Sequence, residues 1–398
     1  MISSKMTKLT QTNSVIRAMF EEGMRLAAEY GRENVFDFSL GNPNFPPPDA
    51  VGTAITDILR EYPPGEIHGY MPNAGFPAVR AAVAESLNAG YGTSFGAEHI
   101  IMTSGAAGGL NVALKTLLDP GDEVAVFAPY FVEYGNYVSN YDGGLIVIPP
   151  GSPDFQPSAD ALEAAVTPRT KAVVINSPNN PTGIIYSKES IKRLASALER
   201  RQKAYGAPIY LISDEPYREL AYDGAEVPFV TRYYRNALVC YSWSKSLSLP
   251  GERIGYLAIS PEADDAGIIA EAAAIATRVL GFVNAPSLMQ LAAARCLGEK
   301  TDIAAYDANR RALHGGLTSL GFECAFPEGA FYMWVRAPGG DDRTFASDAK
   351  KHNILLVPGT SFACPGYVRI AYCVEKSTIE RSMGGFARLA AEHGLKWK

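Results

Sequence analysis

Short apolar runs and longer stretches of helical spacing take turns along much of this chain. The runs "HIIMTS", "DEVAVFAP", "KAVVINSP", "APIYLISDEP", "NALVCYSWS" and "RIGYLAIS" are rich in Val, Ile and Leu and are bounded by turn formers. That combination predicts strands. Between them, "AAGGLNVALKTLL" and "SKESIKRLASALERR" space their apolar positions three and four apart, as helices do. A strand that is apolar along its whole length expects cover on both faces, so the pattern predicts an α/β unit with a mostly parallel sheet covered by helices.

The ends of the chain read differently. Ser14 is placed to cap a helix running through about Tyr30, with Gly31 as its stop. "FDFSLGNPNFPPPDA" follows, a short strand entering a Pro-rich loop. Beyond about residue 290, the Ala/Leu-rich helical stretches "PSLMQLAAARCL" and "DIAAYDANRRALHGGLTSLG" precede short strands in "GAFYMWVRA" and "GYVRIAYC". The expected organisation is a large domain over 46–285 and a smaller α+β domain built from both chain ends, 1–45 and 286–398.

Composition narrows the function classes. With 398 residues and 47% hydrophobic content the chain can bury a sizeable core. Its 36 basic and 42 acidic residues leave a net charge of -6, without a Lys/Arg block. That balance argues against nucleic acid or anionic membrane as the main partner. No apolar run approaches the ~20 residues that span a bilayer, and the polar start "MISSKMTKLTQTNS" lacks the apolar core of a secretory signal. Five cysteines and five histidines are scattered without a CxxC pair, which suggests reduced thiols in a cytosolic protein and no metal centre.

Candidate chemistry gathers at the predicted strand ends, where open α/β sheets place their ligands. In "YSWSKSLSLPGERIGY", Lys245 stands among small hydroxyls: a surface lysine, an acylation base, or an amine ready for a Schiff base. "TSGAAGG" lies between a strand and a helix, where small residues let backbone N–H groups approach an anion. "NSPNNPTG" fixes a rigid loop from which the Asn180 amide can donate to a ligand, or it is simply an Asn/Pro turn. Asp214 in "SDEPYREL" closes an apolar run, so its carboxylate needs a partner unless it caps a helix, and Tyr217 brings a phenol nearby. Arg369, between Val368 and Ile370, suits either a substrate carboxylate or an internal ion pair.

In this order, N-P-T-G, D-x-P-Y, S-x-S-K-x(7)-R-x-G and the late strand arginine resemble the class I/II aminotransferases of fold type I, from "LGNPNFPPP" to "GYVRIAYC". The resemblance implies pyridoxal 5′-phosphate as cofactor, joined to Lys245 as a Schiff base. It implies Ser242 and Arg253 on the cofactor phosphate, above the backbone of Gly105, Ala106 and Ala107. Asp214 pairs with the pyridine nitrogen, Asn180 and Tyr217 with the ring oxygen, and Phe131 stacks on the ring. Tyr70 reaches a phosphate across a homodimer interface, while Arg369 grips the substrate α-carboxylate beside Gly41 and Asn42. Ala107 departs from the serine or threonine of several relatives, leaving that contact to Ser104 or to backbone. Phe131 replaces a more frequent tryptophan or tyrosine.

The implied reaction is ping-pong transfer of an amino group from an L-α-amino acid to a 2-oxo acid. Rival chemistries on the same fold are a C–S lyase, a decarboxylase and a cyclopropane-forming synthase. Ser242 to Lys245 also fits S-x-x-K of penicillin-recognising enzymes, but "SDEP" and "KTD" do not supply the partner motifs. An amino-acid-sensing regulator would need a DNA-binding domain ahead of the large domain, which the first 45 residues are too few to form. Arg278 in "ATRVLGFVNAP" stands either as a reader of a second carboxylate, favouring aspartate or glutamate, or as a solvent-facing helix arginine. Tyr134 and Phe282 keep aromatic donors in view.

Overall fold

The computed structural model describes residues 2–11, 15–151 and 154–396. In chain order the strands are β1 (Phe36–Asp37), β2 (Ile100–Thr103), β3 (Glu123–Phe127), β4 (Gly144–Ile148), β5 (Thr170–Asn176) and β6 (Tyr210–Asp214). There follow β7 (Ala237–Ser242), β8 (Gly255–Ile259), β9 (Tyr332–Arg336), β10 (Ile354–Leu355), β11 (Val357–Pro358) and β12 (Tyr367–Ala371). The expected cap at Ser14 lies outside the described residues; a helix covers Val15–Tyr30.

Seven strands form one sheet in the order β2-β8-β7-β6-β5-β3-β4, parallel except for β8, which runs against both its neighbours. Alternation along each strand explains the continuous apolar runs. Met102, Ala125, Val173, Leu211 and Val239 pack into the core on one face. Ile101, Val126, Val174, Ile212 and Leu238 pack into the core on the other. A sheet covered twice has no solvent-facing side, so the middles of its strands stay apolar and polar residues gather at their ends.

The strand β4 is not among the expected strands, although "GGLIVIPP" is itself an apolar run between turn formers. It is an edge strand paired only to β3, and Val147 on it is 41% exposed.

A second core is built from both ends of the chain. Phe38, Leu313, Phe331, Val335, Phe345, Leu356, Ile370 and Phe386 meet in it. Its three-stranded sheet runs β11-β12-β9, all antiparallel, so β12 and Arg369 lie in the middle. The two-residue strand β1 joins this unit by pairing with β10.

One helix bears on the expected boundary at 286. Met289, Ala292 and Ala293 of Ser287–Arg295 pack with Val51, Ala54 and Ile58 into the core of the large sheet. The amphipathic pattern announced a helix but not which core its apolar face would join. We propose a boundary after Cys296 instead.

Candidate active site

Register carries the site. Asn176 stands opposite Asp214, Asp214 opposite Cys240, and both Ser242 and Thr103 opposite Gly255. The C-terminal ends of β2, β5, β6 and β7 therefore open on one edge, where a cleft of about 270 Å³ has formed. Its walls include Lys245, Asp214, Tyr217, Asn180, Arg369, Gly41, Phe131, Ser242, Arg253, Ala106 and Ala107.

Asp214 ends β6 and is followed by turns, so it caps no helix. Tyr134 donates its phenol hydrogen to Asp214 Oδ2 at 2.6 Å. Asp214 Oδ1 is buried and has no partner. Burial pushes this carboxyl up to about 7; the Tyr134 bond pulls it down and Glu215 adds to the rise. An acceptor oxygen left open in a dry cleft suits a bound N–H donor.

Lys245 sits on a four-residue helix, Trp243–Ser246, immediately after β7. Its Nζ donates to the Gly41 carbonyl at 2.7 Å and lies 5.5 Å from the centre of the Phe331 ring. Burial lowers the ammonium to about 8; the Cys373 thiol opposes that shift, while Arg253 and Arg369 reinforce it. Roughly a tenth of this lysine is thus the free amine at pH 7, far more than for an ordinary lysine, and able to act as nucleophile or base. Gly41 admits this contact because a Cβ there would run into the Tyr332 hydroxyl.

Arg369 forms no internal ion pair among the described residues. Its guanidinium is buried, donating from Nη1 to Asn180 Oδ1 at 2.9 Å and from Nη2 to the Ser39 carbonyl at 2.5 Å. The rings of Tyr332 and Phe362 lie 4.6 and 5.0 Å from its central carbon. Its Nε has no partner, and among the described residues no carboxylate pairs with it. A buried cation without an anion is a costly arrangement that a bound carboxylate relieves.

An anion site faces these groups. The helix Gly105–Leu117 begins at the cleft, and Ser104 makes no side-chain capping bond to it. Gly105 has φ +68°, and a Cβ added there would stand 2.9 Å from Arg253 Nη2. Ser242 Oγ and Ser244 Oγ are 2.7 Å apart beside it. Free N–H groups, hydroxyls and a guanidinium converging in one hollow suit a phosphate.

Some anticipated residues lie outside this cleft, as expected of Tyr70, whose implied role is across a dimer interface. Tyr70 is 95% exposed and Asn42 is exposed; neither lines the cleft of its own chain. Arg278 is exposed at the end of the helix Ala266–Val279. The loop of Tyr70 meets the loop that follows the Arg278 helix, since Asn73 donates to the Val283 carbonyl and Asn284 to that of Met71. Three contributors were missed. Tyr134 grips Asp214, Tyr332 shares a 2.8 Å hydroxyl contact with Tyr217, and Asn176 donates to the Asp214 carbonyl while accepting from Asn180 N–H. Only Asn176 had a signal, as the last residue of its strand.

Comparison with known proteins places this geometry. The family model described as aminotransferase class I and II matches residues 33–385. An aspartate/prephenate aminotransferase of Thermus thermophilus is 33% identical over 371 residues, spanning 91% of this chain and 93% of that one. The crystal structure of an amino transferase from Eubacterium rectale superposes with a TM-score of 0.96 at 45% identity, covering 98% of this chain and 99% of its own. Aspartate aminotransferase from Thermus thermophilus, solved with maleate, gives 0.86 at 29% identity, covering 98% and 99%.

Proposed function

The chain belongs to the class I and II aminotransferases and is a transaminase, and on that premise we propose that its cleft holds pyridoxal 5′-phosphate and serves an L-α-amino acid donor and a 2-oxo acid acceptor in turn. The residues fit that cofactor. The unpartnered Asp214 Oδ1 suits a protonated ring nitrogen, and the hollow at Gly105 and Arg253 suits a phosphate.

When bound, the cofactor supplies an aldehyde that carries the amino group and a ring that withdraws electrons from the substrate Cα. Asp214 would hold a proton at the ring nitrogen, with Tyr134 fixing its carboxylate. Lys245 would anchor the aldehyde, and its free amine would serve as the base for the substrate Cα proton. Asn180 and Tyr217 would bond the ring oxygen, and Phe131 would stack on the ring. Ser242, Arg253 and the backbone of Gly105, Ala106 and Ala107 would hold the phosphate. Arg369 orients the α-carboxylate beside Gly41.

For the donor we favour the aspartate or glutamate type, as the relatives' names and the maleate in the Thermus structure suggest. The cations lining this cleft are Lys245, Arg253 and Arg369, and each already has a task. A reader for a second carboxylate then comes from a second copy, whose Tyr70 and Arg278 are both exposed. Homodimer formation and a cytoplasmic setting belong to this proposal; five unpaired cysteines are in keeping with the latter.

The observation that carries the reading is Lys245, lowered by burial, sharing one cleft with the open oxygen of Asp214. Borohydride reduction of the loaded protein, followed by peptide mass analysis, should place the tag on Lys245. A tag elsewhere, or none, sinks the assignment. A donor panel with 2-oxoglutarate then ranks substrates, and an unchanged aspartate-to-alanine ratio in Arg278→Ala removes Arg278 from the site.

A further inference from the structure

Behind the cleft, on the sheet face opposite the helix Gly105–Leu117, lies a buried charge cluster that the reaction does not use. Arg218 donates from Nε to Glu215 Oε2 at 2.5 Å and from Nη1 to the Tyr256 hydroxyl at 2.9 Å. The rings of Tyr91, Phe229 and Tyr241 surround its guanidinium carbon at 5.4, 5.0 and 4.9 Å. Both charged side chains are almost wholly buried, at 1% and 5% exposure.

The cluster touches both functional turns. Glu215 directly follows Asp214, and its N–H donates to the Cys240 carbonyl at 2.8 Å. Tyr256 stacks on Tyr241 with centroids 4.8 Å apart. The Tyr241 hydroxyl lies 2.8 Å from Ser246 Oγ, one residue past Lys245. A buried ion pair contributes little net stability over apolar packing, so stability alone is a weak reason for charge here.

We propose that the Glu215–Arg218 pair is a positioning device that keeps the charge beside Asp214 balanced and, through Tyr256, Tyr241 and Ser246, holds the Lys245 turn in register with it. This rests on the reading of Asp214 as the partner of a cofactor ring nitrogen. Other titratable groups facing the pair are Tyr91, Tyr241, Tyr256 and Glu219. Glu219 is itself raised by burial, with Arg218, Tyr241 and Lys300 opposing that rise. Facing Asp214 are Tyr134, Tyr137, Tyr217 and Cys240.

The test is a charge cycle read by absorbance, using protein loaded with pyridoxal 5′-phosphate and titrated with pH. Arg218→Met leaves a bare anion beside the site and should move the chromophore midpoint up by about half a pH unit or more. Glu215→Gln leaves a bare cation and should move it down. The double variant, neutral and similar in shape, should return it to the wild-type value. A purely structural pair would give shifts of one sign, or none, and either result overturns the proposal. If Arg218→Met does not fold, as judged by circular dichroism, the downward shift of Glu215→Gln and its reversal in the double variant decide the matter. Wild-type protein that forms no chromophore would instead overturn the cofactor reading, and this inference with it.

Discussion

Asn180 Oδ1 accepts a hydrogen bond from Arg369 Nη1 at 2.9 Å, across 189 residues of sequence and between two separate sheets. Asn180 comes from the loop after β5 and Arg369 from the middle strand of the small sheet. The site therefore exists only where the two units meet.

Arg369→Lys keeps the charge and loses the fork. An ammonium has donors but cannot present two parallel N–H groups to a carboxylate, so kcat/KM should fall about 10- to 100-fold. Steady-state kinetics with the best donor check this, and most of the loss should appear as raised KM. An unchanged KM would mean that Arg369 does not bind the α-carboxylate.

Asp214 links the site to stability. Its folded value of about 7 lies above the ordinary carboxylate range because of burial. The folded state thus binds more protons than the unfolded chain between about 4 and 7, and the cofactor-free protein loses stability as pH rises through that window. Asp214→Asn removes that burden. The variant should melt higher than wild type at pH 8, by an amount worth at most roughly 4 kcal/mol, and the difference should vanish near pH 4. Calorimetry on cofactor-free protein at the two pH values is the measurement.

Lys245 sets the pH dependence of cofactor capture. With the amine at about 8 rather than 10.5, the cofactor-free protein should take up pyridoxal 5′-phosphate faster as pH rises toward 8 and level off above it. Stopped-flow absorbance reads the profile. A rise continuing to pH 10 would show a lysine in contact with water.

Gly41→Ala tests the contact between the N-terminal loop and Lys245. The added Cβ meets the Tyr332 hydroxyl and crowds its ring carbon at 2.8 Å. Overpacking of this kind costs about 1–3 kcal/mol, and the Lys245–Gly41 bond should be strained with it. Tyr332→Phe in the same chain removes the hydroxyl and should recover part of the lost melting temperature. No recovery would place the clash elsewhere.

Much of the fold was legible because the large sheet is buried on both faces, which turns each central strand into an unbroken apolar run. The edge strand β4 carries such a run as well, in "GGLIVIPP", and was passed over although the mark was there. Lys245, Asp214, Asn180 and Arg369 stood out by their motifs, each at a strand end or in a strand where a lone polar group is conspicuous. Tyr134 and Tyr332 could not be found that way. Tyrosines are common in this chain, and these two matter only through partners 80 and 115 residues distant. The helix Ser287–Arg295 shows the same limit, since periodicity identifies an apolar face and not the surface that receives it.

The placement of Arg369 on the middle strand of the small sheet has a consequence for fragments of this protein. A piece ending before residue 366 would keep every strand of the seven-stranded sheet, along with Lys245 and Asp214. It would lack both the guanidinium and the antiparallel layer that steadies it. Such a truncate would retain the lysine and carboxylate assigned to the cofactor and lose the group assigned to seize an amino acid.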